Sequence, residues 1–223
     1  MKTMLIGMFV ALLLVGCGGG DSQGNVDMEG TGPNEDALET AVEWFKLHDR
    51  SGVTYLPNTD KPFSGCAKRA YENEQVEVLA QFKDGYVVRL KQWQENGTPR
   101  WDVGYMEGIV GIAGMPYKRE PAMLYQYRHG PVTLWHENGQ KQLEGNFKYG
   151  KPDGLETEWY ENGQKKGEGT IRDGKLVSAK VWKPNGEKFS LTNWKDGNGV
   201  MVGYNEDGTD RTRTTFKDAE RVD

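Results

Sequence analysis

The residue types that could carry out chemistry are scattered along this chain of 223 residues. Its histidines and cysteines do not show the spacing of a metal site, and no nucleophile elbow or phosphate-binding loop is present. Carboxylates are abundant, but they recur with the repeat described below, as solvated positions do, whereas a catalytic pair should occur once. We therefore expect no enzymatic activity, no catalytic residue, no metal and no cofactor. The histidines and cysteines are His48, His129, His136, Cys17 and Cys66.

One acidic segment, Asn205-Glu206-Asp207-Gly208-Thr209-Asp210, is superficially similar to a calcium-binding loop. It lacks the carboxylates at the matching offsets and the closing bidentate glutamate. The segment also occupies the position at which the repeat described below carries its Asn-Gly turn. We therefore interpret it as a turn.

The N-terminal residues predict export and lipid attachment. After Lys2, the apolar run from Met4 to Val15 is too short to cross a bilayer, which needs about 20 apolar residues, and it has the layout of a secretory signal. The residues that follow, Leu14-Val15-Gly16-Cys17, resemble a bacterial lipobox. The resemblance implies cleavage before Cys17, a diacylglycerol thioether on its thiol and an amide-linked acyl chain, which together would hold the protein on a membrane. Gly18 at the next position is similar to lipoproteins of the outer membrane, and an ordinary signal peptide that happens to end near a cysteine is the alternative.

The composition of the remaining chain limits its partners. Removing residues 1–16 takes away one charge, that of Lys2, and changes the net charge from −5 to −6. An acidic surface does not attract polyanions, so we expect neither nucleic acid nor anionic lipid headgroups as ligands. With Cys17 lipidated, Cys66 is left alone, and we expect it to be a small core residue. Residues 17–36 are rich in small and polar residues and are predicted to be a flexible tether.

Two short motifs then recur along the chain, aromatic-x-Glu-Asn-Gly and aromatic-Lys-Asp-Gly. The glycine of the first motif precedes the aromatic residue of the second by eight positions in each copy, as from Gly139 to Phe147. The final glycines of the second motif fall at 85, 108, 130, 150, 174 and 197, which indicates a repeat of 20 to 24 residues. The slots that we expect to be structural turn and core positions hold Gly97, Gly139, Gly163, Gly186 and Gly208; Phe82, Tyr105, Tyr127, Phe147, Ile171, Trp194 and Phe216; and Trp93, Trp135, Trp159 and Trp182.

The turn residues predict an all-β fold. Asn-Gly and Asp-Gly are the strongest short signals for two-residue type I′ hairpin turns, so each repeat should form two short strands. Consecutive hairpins predict one extended antiparallel β-meander of about seven repeats over residues 66–223, with residues 37–65 as an N-terminal capping segment. The alternation of residue types predicts that Phe147 and Trp159 lie on one face of the sheet and Glu156 on the other.

The capping segment allows two interpretations. The residues after Pro33 could begin one short helix. Alternatively, a strand runs through Val42–Leu47, a turn follows at Asp49–Gly52, and a second strand covers Val53–Leu56. We favour the strand, because Asp-Arg-Ser-Gly is typical of turns.

The segment Leu143–Gly154, with the sequence LEGNFKYGKPDG, resembles a MORN repeat, and Trp159–Gly163 is similar to the bacterial variant form of this repeat. The resemblance covers about residues 55–219. It implies a membrane-proximal scaffold or a protein-binding or dimerising ribbon; the bacterial variants are often labelled antitoxin-like, and no catalytic residues belong to the family. The departures from the pattern are Glu74, Arg119, Pro184 and Ala219.

Three functional hypotheses follow. The first is a non-enzymatic, lipid-anchored lipoprotein of the cell envelope, on the outer membrane, whose repeats bind another envelope protein or a second copy of the chain. The second is an antitoxin or immunity role with a toxin as partner. The third is binding of glycan or peptidoglycan by the aromatic rows. We expect these rows to be the core of a thin sheet, where aromatic neighbours stabilise by ~0.2–1 kcal/mol per pair, whereas a glycan ladder would leave ring faces open to solvent.

Overall fold

A computed structural model describes residues 35–111, 122–189, 194, 196–205, 207–218 and 220–222. The signal peptide predicted at residues 1–16 and the lipid site predicted at Cys17 lie outside these residues, as do Arg119, Ala219 and most of the predicted tether. Among the residues that the structure describes, no helix is long and apolar enough to span a bilayer.

The described chain is nearly all β. Its one α-helix, α1, covers Glu35–Thr40, and short 3₁₀ helices cover Trp44–Lys46 and Ala122–Tyr127. The strands are β1 Val42–Glu43, β2 His48–Arg50, β3 Val53–Tyr55, β4 Gly65–Ala70, β5 Val76–Lys83, β6 Tyr86–Trp93, β7 Pro99–Tyr105, β8 Arg128–Trp135, β9 Lys141–Lys148, β10 Lys151–Pro152, β11 Gly154–Trp159, β12 Lys165–Arg172, β13 Lys175–Trp182, β14 Lys188–Phe189, β15 Gly199–Tyr204, β16 Asp210–Lys217 and β17 Glu220–Arg221.

The main sheet follows the order of the chain. Its twelve strands lie in the order β1-β4-β5-β6-β7-β8-β9-β11-β12-β13-β14, with β10 paired to β9. All its pairs are antiparallel except β1 with β4. Strands β15, β16 and β17 form a second sheet, and β2 pairs with β3 in a third. The predicted all-β meander of consecutive hairpins is therefore confirmed, with the last described hairpin in a sheet of its own.

The Asp-Gly hairpins have the predicted turn type. At the β5–β6 connection, Asp84 has φ +50° and Gly85 has φ +84°, and the residues before and after them form a strand pair. Two consecutive residues with positive φ define the two-residue type I′ turn, whose twist matches that of the strands. The turns at Asp173-Gly174 and Tyr149-Gly150 have the same backbone form.

The Asn-Gly hairpins differ from the prediction of type I′. At the β6–β7 connection only Gly97 has positive φ (+82°), and its N–H donates to the carbonyl of Gln94 (2.9 Å). The loop therefore has three residues, a type I turn followed by a left-handed glycine. The side-chain oxygen of Asn96 accepts the N–H of Thr98, two positions later (2.9 Å), which forms an Asx turn across the loop.

Two predicted hairpin turns are absent from the described structure. At Tyr105–Gly108 only Gly108 has positive φ (+75°), and no strand follows within residues 106–111. The repeat pattern predicts a tight turn at Tyr127–Gly130, but Gly130 lies within β8, where it has φ +82°. His129 before it does not have the positive φ that a type I′ turn needs at both central positions. Strands β7 and β8 are instead joined by a long connection that includes the 3₁₀ helix Ala122–Tyr127.

The main core lies on one side of the sheet, which we call face A and define by Val78, Ala80 and Phe82 of β5. Trp44 and Phe63 from the N-terminal segment cover the first strands of face A, and the rings of Trp44 and Phe82 meet edge-on with centroids 6.0 Å apart. Further along, the core includes Leu124, Val132 and Phe147.

The opposite side, face B, is covered at its N-terminal end by α1. Ala37 of this helix packs with Cys66, Leu79 and Trp93. The side chain of Cys66 is buried, as expected for a small core residue. The first hairpins of the array are thus covered on both faces.

The capping segment combines the two interpretations offered by its sequence. A helix ends at Thr40, and the predicted strand through Val42–Leu47 is wrong beyond Glu43, because a 3₁₀ helix follows. In a 3₁₀ helix residues three apart lie on the same side, which lets Trp44 and Leu47 both enter the core while Phe45 stays 78% exposed. The predicted turn and second strand are present, as β2, a turn and β3.

The prediction of strand faces at β11 is wrong. Glu158 pairs with Leu143 of β9, so Glu158 and Glu156 lie on face A together with Phe147, and Trp159 lies on face B. The reason is the two-residue turn after β9. Across a loop of two residues, odd-numbered residues pair with even-numbered ones, so the even-numbered residues of β11 share a face with the odd-numbered residues of β9. Two carboxylates therefore occupy the face that forms the core elsewhere.

Candidate binding surface

The aromatic slots of the second motif differ in burial, and those within strands of the main sheet lie on face A. Phe82, Tyr105 and Phe147 are each only 3% exposed. The ring of Phe147 meets that of Tyr125 edge-on at 5.7 Å, and the guanidinium of Arg128 lies 5.1 Å from its centre. The other slots, all half-buried, are Tyr127, Ile171, Trp194 and Phe216.

The tryptophan slots of the first motif do not form an open platform. Trp93 is buried beneath α1, whereas Trp135, Trp159 and Trp182 are half-buried. The ammonium groups of two lysines, one on β9 and one on β12, lie 5.8 Å and 5.6 Å from the ring centres of Trp159 and Trp182. Such cation–π contacts cover ring faces that a sugar would need.

The five turn glycines of the first motif share one backbone conformation, with φ between +79° and +86°. Beside them runs a ladder of side-chain bonds that the sequence analysis missed. The amide of Asn138 donates to the carbonyl of Glu161 in the next turn (2.6 Å), and that of Asn162 donates to the carbonyl of Pro184 (2.8 Å).

A second set of bonds joins the same neighbouring repeats. The hydroxyl of Tyr71 donates to the carbonyl of Trp93 (2.9 Å), and the hydroxyl of Tyr160 donates to the carbonyl of Trp182 (2.9 Å). A ring nitrogen of His136 lies 2.9 Å from the corresponding carbonyl of its neighbour. The signal in the sequence is the second position of the motif, which carries a polar ring in these three copies.

Face B is lined by paired charges. The carboxylate of Asp102 accepts two bonds from Arg89, at 2.7 Å and 2.9 Å. Further along, Glu168 accepts from Lys165 and Lys180, both at 2.7 Å. These two hydrogen bonds lower the pKa of Glu168 to about 2. Face B therefore presents carboxylates that already have cationic partners.

Face A changes character between two successive repeats. Positions 24 residues apart are equivalent in them, as Gly139 and Gly163 show. The fully buried Val132 corresponds to Glu156, and Leu134 corresponds to Glu158. On the partner strands, Leu143 corresponds to Gly167, and Phe147 to Ile171.

Where these large apolar residues are lost, face A contains a groove of about 300 Å³. One wall is formed by β11, β12 and β13, and includes Gly169, Ile171 and Leu176. The other wall comes from the C-terminal sheet and includes Met201 and Phe216. The two walls are joined at one end by a small cluster in which Val181 packs with Val202 and Tyr204.

The two carboxylates in the groove have different surroundings. Glu158 forms an ion pair with Lys166 at 2.9 Å. Glu156 lies across the bare backbone of Gly145, and no described residue donates a hydrogen bond to its carboxylate or forms an ion pair with it. Burial, and secondly the negative charge of Glu158, raise the pKa of Glu156. The groove thus contains an anion that the described part of the chain does not neutralise.

No group of three or more histidine, cysteine, aspartate or glutamate side chains within the described ranges is arranged to hold a metal ion. The buried Cys66 lies apart from the groove, under α1.

Comparison with known families identifies two of the repeats. Residues 128–149 and 152–173 each match the MORN repeat variant. These are the two repeats compared above, so the open groove begins in the second of them. No curated protein matches the chain. The matched repeats are consistent with a repeat-based protein-binding module.

Proposed function

We propose that this chain is a non-enzymatic, lipid-anchored lipoprotein of the bacterial cell envelope, held on the outer membrane through Cys17, whose repeats bind another envelope protein. The lipobox-like residues before Cys17 support the anchor. The match to the MORN repeat variant supports a binding module. The scattered histidines and the paired, repeat-related carboxylates give no support to catalysis.

The groove on face A is the observation that carries the binding role. Over the first repeats, face A is covered by the chain's own residues, among them Trp44, Phe63 and Leu124. From β11 onward the equivalent core residues are replaced by glutamates and glycine, and an apolar groove stays open. An open apolar groove bordered by charged residues is typical of a protein-interaction site.

The antitoxin and glycan-binding hypotheses make different demands on the groove and the aromatic rows. An antitoxin or immunity role would keep the groove and make a toxin its occupant. Glycan or peptidoglycan binding would need open aromatic faces, and the rings of Phe82, Tyr105 and Phe147 are buried, while lysines cover Trp159 and Trp182. These contacts favour a protein partner over a sugar.

The proposal is tested by capturing partners with the full, lipidated protein from its own envelope, followed by mass spectrometry. We expect one stoichiometric protein with the wild type, and its identity distinguishes an envelope partner from a toxin. Cys17→Ser should move the protein from the membrane to the soluble fraction. Retention of that variant on the membrane would contradict the anchor.

A groove-filling variant makes the capture experiment specific. In Gly167→Leu, a side chain is added at a position where the nearest atom to its Cβ is 3.9 Å away, and it restores the leucine of the preceding repeat. We expect this variant to lose the partner. Ser178→Leu is the matched control, because it adds the same side chain to face B of the neighbouring strand. Enrichment of polysaccharide alone, or equal capture by Gly167→Leu, would overturn the proposal.

A further inference from the structure

The groove differs from an ordinary apolar cleft in one respect, the carboxylate of Glu156. Its equivalent one repeat earlier, Val132, is fully buried in the core. A buried or half-buried carboxylate normally has a cationic or hydrogen-bonding partner, since desolvation disfavours the charged form. Glu158 beside it has such a partner in Lys166. Glu156 lacks one among the described residues, so the missing cation can come from a bound molecule.

The rest of the groove indicates the chemical nature of the molecule that carries this cation. Its lining is largely apolar, with Ile171, Leu176, Val181, Met201 and Phe216. A volume of about 300 Å³ is at the lower limit of ligand pockets and suits a few side chains rather than a folded element. Lysine and arginine carry their charge on an apolar stem, which can lie along such walls while the charged end reaches a carboxylate.

We propose that this groove receives an apolar segment of the partner protein that carries one lysine or arginine, and that the cation of this residue pairs with Glu156. The proposal rests on the protein-binding function proposed above and specifies the chemistry of the partner. The charge pattern of the chain supports it. On face B, carboxylates such as Asp102 and Glu168 are already paired with arginine or lysine, whereas Glu156 on face A is not.

The same geometry disfavours a small anion or a polyanion as the occupant. Lys166 and Lys180, which also line the groove, already pair with Glu158 and Glu168, so an anion would face the uncompensated charge of Glu156. A wholly apolar segment would leave Glu156 desolvated without a partner, which costs free energy. A segment with one cation satisfies the carboxylate and fills the apolar walls at once.

The test is a selection of random heptapeptides displayed on phage by the immobilised full chain. We expect peptides selected by the wild type to be enriched in a single lysine or arginine flanked by apolar residues. Glu156→Gln, which keeps the side-chain shape and removes the charge, should abolish this enrichment. Glu144→Gln is the matched control, because it removes a carboxylate from face B of the adjacent strand.

The selected peptide is then measured directly. Replacing its arginine by citrulline, or its lysine by norleucine, should weaken binding to the wild type roughly 10- to 100-fold, the effect of a hydrogen bond to a charged group. The replacement should have little effect on binding to Glu156→Gln. Equal basic content in peptides selected by the wild type and by Glu156→Gln, or no selection by the wild type, overturns the inference.

The outcomes separate this inference from the proposed function. If Gly167→Leu loses the envelope partner but Glu156→Gln captures it as well as the wild type, the groove binds protein and the cation pairing is wrong. If neither variant affects capture, both proposals fail. If the purified chain forms a concentration-dependent dimer that Glu156→Gln abolishes, the occupant is a second copy, and the assignment to a different partner protein is overturned.

Discussion

The contrast between the closed and open parts of face A predicts unequal effects at two equivalent positions. Phe147 and Ile171 occupy the same slot in successive repeats. Phe147 is 3% exposed and meets the ring of Tyr125, whereas Ile171 is half-buried and lines the groove. Truncating the two side chains to alanine should therefore change the free energy of unfolding by different amounts.

The magnitudes follow from burial. Removal of a buried phenylalanine side chain costs about 3–5 kcal/mol, which includes the cavity left behind. A buried isoleucine costs about 2–5 kcal/mol, and roughly half of this, about 1–2 kcal/mol, is expected where the side chain is half-buried and solvent can enter the space. Phe147→Ala should thus be more destabilising than Ile171→Ala by about 2 kcal/mol.

Urea unfolding followed by far-ultraviolet circular dichroism measures both variants against the wild type. Because repeat arrays can unfold in parts, native-state hydrogen exchange should be read separately for β9 and β12. If the slope of the unfolding free energy against urea concentration is the same in the wild type and both variants, the substitutions have changed stability and not the surface exposed on unfolding. Equal losses at the two positions would refute the reasoning, since they would mean that face A is as closed around Ile171 as around Phe147.

Two further predictions concern the turns and the charges. Gly150→Ala and Gly130→Ala both place a side chain at positive φ, which costs about 1–2 kcal/mol. Only in Gly150→Ala does the new Cβ contact backbone atoms of Gln126, so we expect this variant to lose roughly 1–3 kcal/mol more stability in thermal unfolding. Equal losses in the two variants would contradict this expectation. Glu168 has its pKa lowered from 4.5 to about 2, so its stabilisation is complete above pH 4.5 and is lost as pH falls through 2. Since exposed ion pairs contribute ~0.2–1 kcal/mol each, Glu168→Gln should be about 0.5–2 kcal/mol less stable than the wild type at pH 7. This difference should disappear once the pH is below 2, and a difference that does not depend on pH would contradict the ion pairs.

The hairpins were predictable because Asp-Gly and Asn-Gly dipeptides favour the positive φ angles that tight turns require. Asp84-Gly85 needs positive φ at both residues, and both have it. Asn96-Gly97 was assigned the same turn, yet only its glycine has positive φ. The dipeptide alone does not encode loop length: here Gln94 and Thr98 close a loop of three residues, in which the Asn96 side chain accepts the N–H of Thr98.

The sequence was least informative where a tertiary contact decides between two secondary structures. The segment around Val42–Leu47 is short and apolar, so periodicity alone fits a helix or a strand. Its course is set by the need to bury Trp44 in the core, which is a tertiary requirement. The face of Glu156 was within reach of the sequence, since the two-residue turn predicted at Tyr149-Gly150 pairs odd-numbered with even-numbered residues. The groove itself was not, because its second wall belongs to the C-terminal sheet, which the repeat pattern places in one continuous meander.

The bonds along the Asn-Gly edge have a consequence for how such chains evolve. Their donors belong to the repeat, but their acceptors are main-chain carbonyls, as with Glu161 and Pro184 for the two asparagines. A carbonyl is supplied by any residue, so one repeat can be joined to the next without matching its side chains. Duplication, deletion or exchange of whole repeats then preserves the connection. The residues on the faces, including those of the groove, are left free to diverge while the register of the array is inherited intact.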